Sequence, residues 1–226
     1  MDAMPQVPYG HNSFVLNPQR RIASGLIVDI SGSMAGHKMD ETNNGLGRFA
    51  RDLSSDPIAV KSCDISVVTL GGLVKVAQTY TTADRLSLPR FQANGDTPMG
   101  EAILKSIAMM RDRVAEYQAN GIPSFVGWQF LLTDGVWTDD IEPAIKAIHQ
   151  GEKNNDFVFF CVGVDGADMK QLARLSSCRP PLYLKNIQSF GPMFEWLSKS
   201  LKLVSRSKPG QSMSLPNTSG WGQIKS

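Results

Sequence analysis

The chain has 226 residues, 42% of them hydrophobic and 19% charged, with a formal net charge of +2. That suffices for one substantial core, and no run approaches the roughly 20 apolar residues that a membrane span needs. The balanced charge, with no basic stripe interleaved with aromatics, argues against a nucleic-acid footprint.

Met1-Asp2-Ala3-Met4-Pro5 lacks the basic start and apolar run of a signal peptide. The three cysteines, Cys63, Cys161 and Cys178, are odd in number and include no CxxC pair. This pattern speaks against a disulfide framework and against a zinc site. A reducing, cytoplasmic compartment is expected.

In chain order, residues 1–19 hold three prolines and little periodicity and read as a loose arm. Ile22 to Ile30 reads as a buried first strand. Leu46, Phe49, Ala50 and Leu53 share one helical face. Two β-rich runs, Ile65–Leu70 and Leu73–Ala77, flank Gly71-Gly72 and predict an antiparallel hairpin. Lys75 between Val74 and Val76 marks an edge strand.

A second helix is expected from Pro98, burying Ile103, Ile107, Met110, Val114 and Tyr117, and Phe125–Leu132 reads as another apolar strand. Asp139 and Glu142 resemble a capping box for a third helix carrying Ile141, Ala144, Ile145 and Ile148. A buried strand over Phe157–Val164, a short helix over Met169–Leu175, a short strand at Leu182–Leu184 and a closing helix over Phe190–Val204 follow. From residue 205 Ser, Gly and Pro dominate and predict a flexible tail, with Trp221 its one aromatic.

Strands apolar on both faces and alternating with helices predict a doubly wound α/β domain over residues 20–204. Its sheet is expected to be mainly parallel, six-stranded, with one antiparallel edge strand and helices on both faces. In that architecture ligands collect beyond the carboxyl ends of the strands, at the switch point.

Asp29-Ile30-Ser31-Gly32-Ser33 follows the first strand directly, Thr97 precedes the second helix, and Asp134 ends the Phe125–Leu132 strand. Asp29, Ser31, Ser33, Thr97 and Asp134 together supply two carboxylates and three hydroxyls from three loops at one sheet end. Taken singly, Ser31, Ser33 and Thr97 also suit helix caps, and Asp134-Gly135 an ordinary strand-end turn. Taken jointly, oxygen-only donors with several neutral hydroxyls suit Mg²⁺ or Mn²⁺. Two aspartates cancel only the formal charge of such an ion, which leaves it attractive to a further carboxylate from outside.

Asp29-x-Ser31-x-Ser33, Thr97 and Asp134 match the metal-ion-dependent adhesion site of von Willebrand factor A domains. The flanking segments Leu26–Met34, Asp96–Gly100 and Leu131–Asp139 resemble the bacterial TerY-type branch associated with tellurium resistance. The resemblance spans roughly residues 20–204 and implies a Rossmann-like fold and a binding module rather than an enzyme. It implies that the ion is held by the five residues above and completed by an Asp or Glu of a protein partner. TerY-type proteins look like scaffolds that work beside a protein kinase and a phosphatase in stress or phage-defence systems. A cysteine-rich extension found in some relatives has no counterpart here. Two positions depart from the family: Asp96, where a glycine is common, and Trp137, where proline is common. Trp137 is suited either to anchoring a partner or to packing on the third helix.

The main alternative is a Mg²⁺-dependent phosphohydrolase using Asp29, similar to haloacid-dehalogenase-like enzymes. Those enzymes need a carboxylic acid two residues after the nucleophile, and here that residue is Ser31. None of His11, His37 and His149 forms an evident nucleophile–base pair. A part in an ATP-driven, chelatase-like complex is compatible with the same motif. Neither nucleic acid nor membrane is expected as a partner.

Overall fold

The computed structural model describes residues 17–208, 211 and 213–224. The arm expected over residues 1–19 lies outside the described residues up to residue 16.

Among the described residues seven strands form one sheet: β1 (Ile22–Asp29), β2 (Cys63–Gly71), β3 (Leu73–Thr82), β4 (Gly127–Thr133), β5 (Phe157–Gly163), β6 (Leu182–Leu184) and β7 (Gly222–Gln223). The helices are α1 (His37–Ser54), α2 (Pro57–Ser62), α3 (Met99–Ala119), α4 (Glu142–Lys153), α5 (Met169–Leu172) and α6 (Phe190–Ser205). The strand order is β3-β2-β1-β4-β5-β6-β7. Strands β2, β1, β4, β5 and β6 run parallel, and β3 pairs antiparallel at one edge as expected. Gly72 turns this hairpin with a left-handed φ of 67°, which glycine adopts without steric cost.

The central strands have no exposed face. All eight residues of β1 are buried, and they alternate between two cores as the pleat requires. Ile22, Leu26 and Val28 pack with Leu46, Phe49, Phe194 and Leu197 of α1 and α6. Ala23 and Ile27 pack with Ile103, Ile107 and Ile145 of α3 and α4. Two covered faces explain the near-continuous apolar runs by which the strands were recognisable.

Three local expectations need correction. The sheet has seven strands rather than six, because the segment expected as a flexible tail returns to it. Trp221 is only 2% exposed and lies against Trp196 of α6, with ring centroids 5.4 Å apart. Trp196 Nε1 donates to the Pro216 carbonyl at 2.7 Å, and β7 pairs antiparallel with β6. Composition reads the polar majority of that segment and misses one aromatic able to offset the ordering entropy of its neighbours.

Asp139 does not cap its own helix. Its carboxylate accepts from the Gly100 and Glu101 N–H groups at 3.0 and 2.8 Å, so it caps α3 from another loop. Asp140 instead accepts from Glu142 N at 3.1 Å. The short helix α2 was not anticipated, although Asp56 before Pro57 is a sound start signal. Its Oδ1 accepts from Ile58 N and Ala59 N.

Candidate metal site

The switch point falls between β1 and β4, whose following loops leave the sheet toward opposite faces. Backbone hydrogen bonds stitch the neighbouring loops together there. Asn94 N donates to Ile30 O at 2.8 Å, Gly32 N to Gly95 O at 2.9 Å, and Thr138 N to Thr97 O at 3.0 Å. Gly95 makes the approach possible, since a Cβ on it would sit 2.4 Å from Gly72 Cα. The loop carrying Ser31 and Ser33, the loop carrying Thr97 and the loop carrying Asp134 are therefore held as one unit.

Within it, Asp29 is fully buried at the end of β1. One carboxylate oxygen accepts Ser31 N–H at 2.8 Å and the other accepts the Thr133 hydroxyl at 2.6 Å. Burial pushes its carboxyl above the usual range, against the bonds from Ser31 and Thr133, and the nearby charge of Asp134 adds to the rise. Ser33 donates to Asp134 Oδ1 at 2.6 Å, and the Ser31 and Ser33 hydroxyl oxygens are 3.1 Å apart. Thr97 faces the same place from the third loop. A Cβ on Gly135 would lie 3.1 Å from Thr97 Oγ1 and 3.5 Å from Asp29 Oδ2. The structure thus brings all five expected residues to one end of the sheet.

The simpler role for the hydroxyls was helix capping. Ser31 precedes a single 3₁₀ turn without a side-chain capping bond, α1 begins after Gly36, and α3 begins after Pro98 with no side-chain cap. The work of capping α3 falls to Asp139. None of the three hydroxyls is committed to a helix end.

Asp96 is exposed, and its backbone carbonyl accepts Gly72 N–H at 2.9 Å. Trp137 packs partly against the α3–α4 core, with the Arg174 guanidinium 5.6 Å from its ring centre. Two residues that touch the expected ligands escaped sequence reading. Thr133 orients Asp29, and Lys38 in the first turn of α1 forms an ion pair with Asp134. Thr133 was detectable as a hydroxyl adjoining Asp134 on a buried strand. Lys38 was detectable as a cation at a helix start, where the macrodipole disfavours one.

Among the described residues no group of three or more His, Cys, Asp and Glu side chains is assembled to hold a metal. What the site offers instead is two carboxylates and neutral hydroxyl oxygen, a donor set for a hard cation. Cys63 and Cys161 are buried, and burial pushes each thiol up to about 12. Among the described residues no helix is long and apolar enough to cross a membrane.

No curated protein matches the chain. Solved structures do. A von Willebrand factor type A protein from Catenulispora acidiphila is 19% identical with a TM-score of 0.61, over 81% of this chain and 43% of that one. The pilus adhesin SpaC of Lactobacillus rhamnosus GG, in its open conformation, is 15% identical with a TM-score of 0.61, over 82% of this chain and 31% of that one. Proximal thread matrix protein 1 of the mussel byssus, with a zinc-occupied MIDAS motif, is 16% identical with a TM-score of 0.59, over 81% and 48%. The chain spans less than half the length of each of these structures. At these identities the likeness is one of fold. The family model for the von Willebrand factor type A domain matches residues 25–195, and the chain belongs to that family.

Proposed function

We propose that this protein is a metal-dependent protein–protein interaction module. Asp29, Ser31, Ser33, Thr97 and Asp134 would hold one Mg²⁺ or Mn²⁺ ion, and a partner's Asp or Glu would complete its coordination. Von Willebrand factor A domains are generally such modules. The observation that carries the reading here is that three hydroxyls at the switch point are free of capping duty beside two buried carboxylates. When bound, the ion supplies a Lewis-acidic position for an incoming carboxylate. The chain's own part is orientation: Thr133 and the Ser31 N–H fix Asp29, and Ser33 fixes Asp134. The zinc-occupied site of the mussel protein supports a divalent ion as the class. Oxygen-only donors favour Mg²⁺ or Mn²⁺ at this one.

By its sequence resemblance we place the module as a TerY-like cytoplasmic scaffold in a bacterial stress-response, tellurium-resistance or phage-defence system. A protein kinase and a phosphatase of the same gene cluster are the candidate partners. The test is affinity capture with Mg²⁺ and with EDTA, using wild type and Thr97→Ala. A partner lost both on chelation and in T97A identifies the client. An unchanged partner set moves binding away from the metal.

A further inference from the structure

Asp134 is one of two buried carboxylates in the site, its side chain only 1% exposed, and a lysine from the same chain neutralises it. Ser33 occupies its Oδ1 at 2.6 Å, while the Lys38 ammonium pairs with Oδ2. The same ammonium donates to the Asp165 carbonyl at 3.1 Å, in the loop after β5. It therefore links α1 to the loops that follow β4 and β5.

The placement is locally unfavourable. Lys38 is the second residue of α1, where the positive end of the helix dipole opposes a cation. Its side chain is 23% exposed, so its ammonium gives up much of its hydration as well. No carboxylate in the first turn of α1 relieves it: Asp40, the acidic residue there, pairs with Arg90 at 3.4 Å. Asp165 presents its backbone to Lys38, and its carboxylate accepts from Tyr183 at 3.3 Å. A local preference broken at a site points to function rather than to folding.

We propose that Lys38 is a tethered counter-ion of this site and that divalent metal enters against it, so that Lys38 sets the site's metal affinity. The inference rests on the metal reading above. Formal charge gives the direction. Two carboxylates and one ammonium leave −1 in the metal-free site. A divalent ion then brings the total to +1 if the ammonium stays, or forces it out of its pair with Asp134. Either route costs binding energy that a site with a neutral residue at position 38 would keep. The +1 that remains is the charge that a single partner carboxylate cancels.

The experiment is calorimetric titration of Mn²⁺ into wild type, Lys38→Met and Lys38→Arg, with thermal melts of each in EDTA. Methionine keeps the packed stem and removes the charge. Lys38→Met is expected to bind Mn²⁺ on the order of tenfold more tightly than wild type, and to melt lower in EDTA. Lys38→Arg stays near wild type. Binding by Lys38→Met with no measurable binding by wild type is the same result at its limit and supports the proposal. Equal or weaker binding by Lys38→Met overturns it and leaves the metal reading standing, as does an equal gain in Lys38→Arg. Silence of all three proteins overturns both. Should Lys38→Met fail to fold in EDTA, Lys38→Gln carries the same expected gain and the same overturning result.

Discussion

At the amino end of the sheet, Asp64, the second residue of β2, has no exposure and is surrounded by donors. Arg21 reaches one oxygen at 2.7 Å, while Arg113 and the Tyr117 hydroxyl reach the other at 2.6 Å each. Burial and the Asp64 charge push the Tyr117 phenol up, which keeps it a donor. At the carboxyl end, Asp29 and Asp134 are as deeply buried, but between them they have one ammonium, two hydroxyls and one backbone N–H. One end places two guanidiniums on one buried carboxylate, Arg113 also pairing with the exposed Glu116 at 2.7 Å, and the other places one ammonium beside two buried carboxylates. Buried charge alone is therefore a poor pointer to function. The sign of the local excess separates a carboxylate that closes the fold from carboxylates still able to take a cation.

The largest expected effect tests the closed end. Asp64→Ala takes the buried carboxylate from between the Arg21 and Arg113 guanidiniums and leaves Arg113 its exposed partner Glu116, and breaking such a buried group costs about 3–5 kcal/mol. Urea unfolding measures it, and a loss below about 1 kcal/mol would remove the contrast. Any metal-dependent rise in melting temperature should survive the substitution.

The open end should respond in the reverse way. Asp29→Asn keeps the volume and an oxygen to accept from Ser31 N–H, reverses the Thr133 bond so that the amide donates to the hydroxyl, and removes a buried charge. Metal-free stability is then expected within about 1 kcal/mol of wild type. The metal-dependent stabilisation should vanish, a loss of about 2.7 kcal/mol with the ion at a hundred times its dissociation constant. Thermal melts with Mg²⁺, Mn²⁺ and EDTA read both quantities. A metal shift retained in Asp29→Asn would take that residue out of the site.

This contrast was only half legible beforehand. The open end announces itself because its donors fall on strand-end loops, and strand ends show as the last residues of apolar runs. Asp29 follows Leu26-Ile27-Val28, and Asp134 follows Leu131-Leu132-Thr133. Lys38 shows locally only as an ill-placed cation at a helix start, and the partner that gives it meaning lies 96 positions away. The closed end was invisible for the same reason. Arg21, Asp64, Arg113 and Tyr117 carry no shared local motif, and only the parallel pairing of β1 with β2 and the packing of α3 across them bring the four together. The tail failed differently: averaging over polar residues hid what Trp221 does alone.

The smallest expected effect concerns Asp56, a less buried counterpart of Asp64. It caps α2 with bonds to Ile58 N and Ala59 N at 3.0 and 2.9 Å, and Arg206 reaches its other oxygen at 2.5 Å. Burial alone would raise its carboxyl, but the Ala59 N–H, Arg206 and the Ile58 N–H outweigh it and hold the group below the usual range. A carboxyl lowered in the folded state contributes stability above its unfolded pKa of about 3.9 and loses it as pH falls through the folded value. Asp56→Ala should cost about 1 kcal/mol at neutral pH, with the difference from wild type shrinking below about pH 4. Asp56→Asn keeps the cap oxygen and should recover part of the loss, but without that pH dependence. Urea unfolding at pH 7 and in the acid range reads both variants. A pH-independent deficit in Asp56→Ala would mean that Asp56 acts only as a neutral cap, and a charge-dependent carboxylate at the amino end would then rest on Asp64 alone. If instead asparagine costs stability at position 56 and none at position 29, the two sheet ends differ in the worth of the charge itself.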